Sequence, residues 1–115
     1  MSIEAEIQVG VLPIEARFVP ESRELEIEFN NGSKYRWLVD ALEMKERTSD
    51  GWQLISKPSN QQLVNVEIWN NNEVVEFTDI EQCFSIPGLM RGQLGSKKWM
   101  QELLSERLQV VSTAG

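Results

Sequence analysis

Histidine is absent from this 115-residue chain. With it go the Ser-His and Cys-His nucleophilic pairs, imidazole general bases and imidazole metal ligands on which most hydrolases depend. A single cysteine, Cys83, rules out an intramolecular disulfide and leaves no cysteine or Cys/His set for zinc. No apolar run approaches the roughly 18 residues that a membrane-spanning helix needs, and the opening MSIEAEIQVG lacks the basic and apolar regions of a secretory signal. These absences describe a cytoplasmic protein in a reducing compartment, with no membrane contact, no metal and no cofactor. Basic residues are also scarce, 11 Lys and Arg against 18 Asp and Glu, for a net charge of -7. Phosphate backbones are bound largely by Lys and Arg, so nucleic acid is disfavoured and a basic partner is favoured. The same acidity also serves solubility.

What is present suffices for a core. Apolar residues make up 41% of the chain, with four Trp and four Phe, and burying such a side chain contributes about 1.5–3 kcal/mol. From Arg23 to Leu38, Leu25, Ile27 and Phe29 alternate with Glu24, Glu26 and Glu28, the pattern of a half-buried strand. A three-residue Asn30-Asn31-Gly32 loop pairs Ile27 with Tyr35 and Leu25 with Trp37, whereas a two-residue turn would set core against charge. Pro13 to Phe18 reads as a preceding strand with Ile14, Ala16 and Phe18 inward. Val39 to Arg47 reads as a short helix or turn, and Trp52 to Ile55 as a brief extended piece. Ser59 and Gln62 match a capping box at a helical turn. Val66 to Trp69 and Glu73 to Phe77 form a second hairpin about Asn71-Asn72, with Glu67 opposite Glu76. From Ser96, the N-cap, Trp99, Met100, Leu103, Leu104 and Leu108 recur at helical spacing.

Few groups offer chemistry. Ser33-Lys34, Ser56-Lys57 and Ser96-Lys97 are adjacent pairs, which regular structure points apart. Glu76, Asp79 and Glu81 form an acidic loop, without the spacing of a calcium loop. Asp79 and Glu81, beside a pocket lined by Trp52 and Phe84, carry the alternative reading, a small-ligand or metal-binding or enzymatic domain. Gly88 and Gly92 bracket Leu89-Met90-Arg91, a packing turn more than a phosphate cradle. The acids around Cys83 raise a thiol pKa. Lys97, Lys98 and Arg107 are the residues through which the last helix would touch nucleic acid, but Glu102 and Glu106 share that helix.

Read together, SNQQLVNVEIWNNNEVVEFTDIEQCFSIPGLMRG and the upstream LEIEFNNGSKYRW resemble the domain-of-unknown-function family DUF2442, small bacterial proteins with an N-terminal β-meander. The family's ATxEQRxN-like helix start falls on Ser59, Gln61, Gln62 and Asn65. Its serine, aliphatic, GLLxG run falls on Ser85, Ile86, Gly88, Leu89, Met90 and Gly92. The family's Trp-Pro is Phe77-Thr78 here, and its acidic triplet is thinned to Glu81-Gln82-Cys83. The resemblance spans residues 12–92 and implies an α+β fold without assigned catalysis, in a family with antitoxin-like members.

The expectation is a single α+β domain over residues 1–115, with about five antiparallel strands in hairpins or a meander. One long helix over 96–108, one or two short helices and a frayed tail over 110–115 complete it. Its function is non-enzymatic protein interaction, antitoxin-like, with Glu24, Glu26, Glu28 and Trp69 meeting a basic, toxin-like partner. Self-association stays open.

Overall fold

A computed structural model describes residues 10–114. Its first unit follows from the turn chemistry of Asn30-Asn31-Gly32. Phe29 N–H donates to Ser33 O at 2.8 Å and Gly32 N–H to Phe29 O at 2.9 Å, a turn closed by Gly32 at φ +88°, where a side chain would be strained. This sets the expected register between β2 (Glu24–Phe29) and β3 (Lys34–Leu38), with Ile27 opposite Tyr35 and Leu25 opposite Trp37. β1 (Pro13–Val19) completes an antiparallel three-stranded sheet. Ile14 does not point inward as its alternation suggests. A register shift between Pro13 and Glu15 buries Pro13 and leaves Ile14 exposed.

The second unit is the Asn71-Asn72 hairpin, which joins β6 (Val66–Trp69) to β7 (Val74–Phe77) with Ile68 opposite Val75 and Val66 opposite Phe77. A third strand, β8 (Gln82–Ser85), pairs with β7 where the sequence reads as an acidic loop. Between the two sheets in chain order comes a two-stranded ribbon of β4 (Lys45–Thr48) and β5 (Gly51–Leu54). It follows a 3-10 turn over Val39–Ala41, so the helix expected through Arg47 stops early. The described residues are α+β and mostly antiparallel strand, eight strands in three small sheets and not five. β1 lies against β6, and Leu25, Ile27, Phe77, Val75, Leu63 and Leu89 are sealed in the core.

The caps behave as their residues dictate. Ser59 N–H donates to Gln62 Oε1 at 2.9 Å and Gln62 N–H to Ser59 Oγ at 3.3 Å, the reciprocal bonds of a capping box, on a 3-10 turn over Gln61–Leu63. Ser85 Oγ accepts from Gly88 N–H at 3.0 Å at the start of α1 (Ile86–Met90). Ser96 Oγ accepts from Trp99 N–H at 3.1 Å at the start of α2 (Lys97–Ala114). The bounds of α2 include residues 110–114, which the sequence reads as a frayed tail. Gly115 lies outside the described residues.

α2 is tied to the body at its first turn. Trp99 Nε1–H donates to Ala41 O at 2.8 Å, and Ser96 N–H to Glu43 Oε1 at 2.8 Å. Gly95 makes this possible, since a Cβ there would stand 2.6 Å from Glu43 Cβ and 2.6 Å from Trp99 Cδ1. Gly95→Ala is therefore expected to cost about 1–3 kcal/mol and to speed exchange of the Trp99 indole hydrogen, read by NMR. Unchanged exchange would show that the helix is not anchored there.

Candidate functional site

The glutamates of β2 occupy the face that alternation assigns to solvent, yet Glu26 is only 4% exposed. Antiparallel pairing sets Arg17 of β1 and Arg36 of β3 directly beside it. Arg17 Nη1 donates to Glu26 Oε2, and Arg36 Nε to Glu26 Oε1 at 2.8 Å. Arg17 Nη2 also reaches Glu28 Oε1 at 2.9 Å and Glu15 Oε2 at 2.6 Å, and Arg36 Nη1 reaches Glu24 Oε1 at 3.4 Å. The bond from Arg36, aided by Arg17 and opposed by burial, holds the Glu26 carboxyl below its ordinary pKa. The Arg17 guanidinium is raised in turn by Glu28 and Glu26. Glu26 thus spends its charge inside the sheet, while Glu15, Glu24 and Glu28 share the same two arginines at its surface and leave the network acidic but partly neutralised.

The other sequence candidates lie apart. Trp69 ends β6, 46% exposed. Asp79 is exposed and accepts from Asn65 Nδ2 at 2.9 Å. Glu81 sits at φ +53° where the chain turns into β8. Trp52 is on the β4–β5 ribbon, whereas Phe84 packs edge-on against Phe77 with centroids 6.3 Å apart. The two belong to different sheets, while Asp79 and Glu81 stand where the chain turns from β7 into β8. Among the described residues, no three His, Cys, Asp or Glu side chains are grouped to hold a metal ion. Burial and then Glu76, the cross-strand neighbour, push the Cys83 thiol up.

The feature that sequence reading missed is a cleft of about 550 Å³ between the two three-stranded sheets. Its floor is Pro13, Phe29 and Ile86, all buried, and its rim carries Val11, Leu12, Tyr35 and Met90, all exposed. Tyr35 and Met90 are 46% and 44% exposed, and Tyr35 is braced edge-on by Phe29 at 5.5 Å and stacked on Trp37 at 6.4 Å. Met90 comes from the glycine-punctuated GLMRG segment at the end of α1.

Turns from both units hold the cleft open. Asn72 Nδ2–H donates to Pro13 O at 2.7 Å, and Leu12 N–H to Asn30 Oδ1 at 3.1 Å. Ile86 N–H donates to Glu73 O at 2.8 Å. Asn70, Asn71 and Asn72 all have positive φ, at 56°, 55° and 64°, a conformation costly for side chains other than Gly and tolerated best by Asn. The only sequence signals for this site are the paired Asn turns. Nothing in the pattern of Val11, Leu12 or Met90 marks them as neighbours, because they meet through tertiary contact alone.

No family model matches the chain, and no curated protein does. A crystal structure of a protein of unknown function from Rhodospirillum rubrum is similar, with a TM-score of 0.62 and 23% sequence identity over 78% of this chain and 96% of that one. At that identity the likeness shows a shared fold. Among the described residues, no helix is long and apolar enough to cross a membrane.

Proposed function

We propose that this protein is a non-enzymatic interaction domain whose contact with another protein is made at the cleft between its sheets. The observation that supports this reading is the concentration of Val11, Leu12, Tyr35 and Met90 on one exposed rim above a preformed apolar floor. Exposed apolar surface grouped in this way, with an aromatic anchor and a polar border of Asn31, Ser33, Asn71 and Asn72, has the composition of a protein-binding patch. The sequence resemblance to DUF2442, a family with antitoxin-like members, favours a small toxin-like partner. The contact moves from the β2 glutamates, which are paired internally, to the apolar rim.

Tyr35→Asp combined with Met90→Asp tests this, since both side chains are about half exposed, with circular dichroism checking that the variant is folded. Used as bait in extract of the native cells, the wild-type chain is expected to retain a discrete protein, and the double variant to lose it by about tenfold or more, as for hot-spot residues. Equal recovery by both chains would remove the cleft from the proposal.

A further inference from the structure

The β4–β5 ribbon carries a second surface of opposite character. Directly opposed residues of an antiparallel pair share a face, and the register sets Arg47 opposite Trp52 and Lys45 opposite Leu54. One face of the ribbon therefore displays two cations, a Trp and a Leu. All four are exposed, Trp52 at 64% and Leu54 at 55%. Glu46 and Gln53 point to the other face. Glu43 lies 3.4 Å from Lys45 but also accepts from Ser96, and Arg47 has no ion pair among the described residues. In a chain of net charge -7, this face is a local cationic, apolar exception.

Its backbone is equally specific. Ile55 N–H donates to Met44 O at 3.1 Å, which makes Met44/Ile55 a hydrogen-bonded pair. Alternation then makes Lys45/Leu54 and Arg47/Trp52 the pairs whose N–H and C=O groups point away from the ribbon. On the β4 side Gln82 covers these groups at Lys45, accepting from its N–H at 3.1 Å and donating to its carbonyl at 2.8 Å. On the β5 side no strand among the described residues pairs with Trp52 or Leu54. The edge runs toward an apolar cavity of about 230 Å³ lined by Leu42, Met44, Leu54 and Trp99, with Lys57 at its rim beside Asp40.

We infer that the outer edge of β5 binds an extended acidic peptide segment as an added strand, with carboxylates at alternate positions on the face of Trp52 and Leu54, where the long Arg47 and Lys45 side chains reach them across β5, and an apolar residue entering the cavity beside Leu54. Three features select this occupant. An unpaired strand edge takes another strand. The cations recur at every second residue, which is the side-chain period of an extended peptide. Their sign selects acid, and the open cavity next to Leu54 selects an apolar side chain beside it.

The test uses the full chain and a short fluorescein-labelled peptide with Glu and Val at alternate positions, alongside its Gln counterpart. The Glu peptide is expected to bind about tenfold or more tightly than the Gln peptide, and Lys45→Glu with Arg47→Glu to remove that preference. Binding is also expected to slow amide hydrogen exchange at Trp52 and Leu54. Equal affinity for both peptides, unchanged binding by the charge-reversed chain, or unprotected Trp52 and Leu54 amides would each overturn the inference. So would tighter capture, through these same residues, of phosphatidylserine vesicles or single-stranded oligothymidylate. If the double reversal disturbs folding by circular dichroism, Arg47→Gln supplies the comparison. The cleft variant Tyr35→Asp/Met90→Asp is expected to bind the peptide like the wild type, which separates this inference from the cleft proposal.

Discussion

Phe77→Ala is expected to destabilise the protein by about 3–5 kcal/mol, the cost of removing a fully buried aromatic side chain and leaving a cavity. Phe77 is inaccessible to solvent, sits in the central strand of its sheet between Val66 and Gln82, and meets Phe84 edge-on. Its ring ties β6, β7 and β8 into one layer. Because domains of this size hold only about 5–15 kcal/mol in total, the variant should sit close to unfolding. Urea denaturation followed by circular dichroism checks it, with an expected midpoint shift of roughly 2 M for a slope near 2 kcal/mol/M. A loss under about 1 kcal/mol would mean that neighbouring side chains collapse into the space.

Glu26→Gln is expected to cost about 1.5–3 kcal/mol at neutral pH, the range for hydrogen bonds to a charged group. The amide leaves Arg17 and Arg36 facing each other with less compensation. The pH dependence carries a definite sign. In the folded chain the Glu26 carboxyl lies below its ordinary value, chiefly through Arg36, so its contribution is complete above the unfolded carboxylate pKa of about 4.3. It is lost as pH falls through the depressed folded value. The gap between wild type and variant should therefore be full at pH 7 and close below about pH 4. A gap that persists unchanged into strong acid would show that the difference comes from packing and not from charge.

How far these features could be read in advance depended on the range of the interactions that set them. The Gly32 turn and the Asn71-Asn72 turn are local, and each fixes a register that only one pairing of Ile27 with Tyr35, or of Ile68 with Val75, satisfies. The Ser59 and Ser96 caps are local as well. β8 escaped because Gln82-Cys83-Phe84-Ser85 is short and weakly patterned. Its place is secured by pairing with β7 and by the long-range bonds of Gln82 to Lys45. β4 was hidden for a similar reason, since Lys45-Glu46-Arg47-Thr48 buries almost nothing. The burial of Glu26 required the register of β1 against β2, which places Arg17 opposite it. The cleft lay furthest from view, because its rim gathers residues from positions 11 to 90.

A photo-cross-linking residue answers the central question most directly. With benzoylphenylalanine in place of Tyr35, illumination of the native cells should give one discrete adduct with a second protein, and the same residue at exposed Glu21, outside the cleft, should give none. No adduct at position 35, or the same adducts at both positions, would contradict an account in which this chain acts by presenting that cleft.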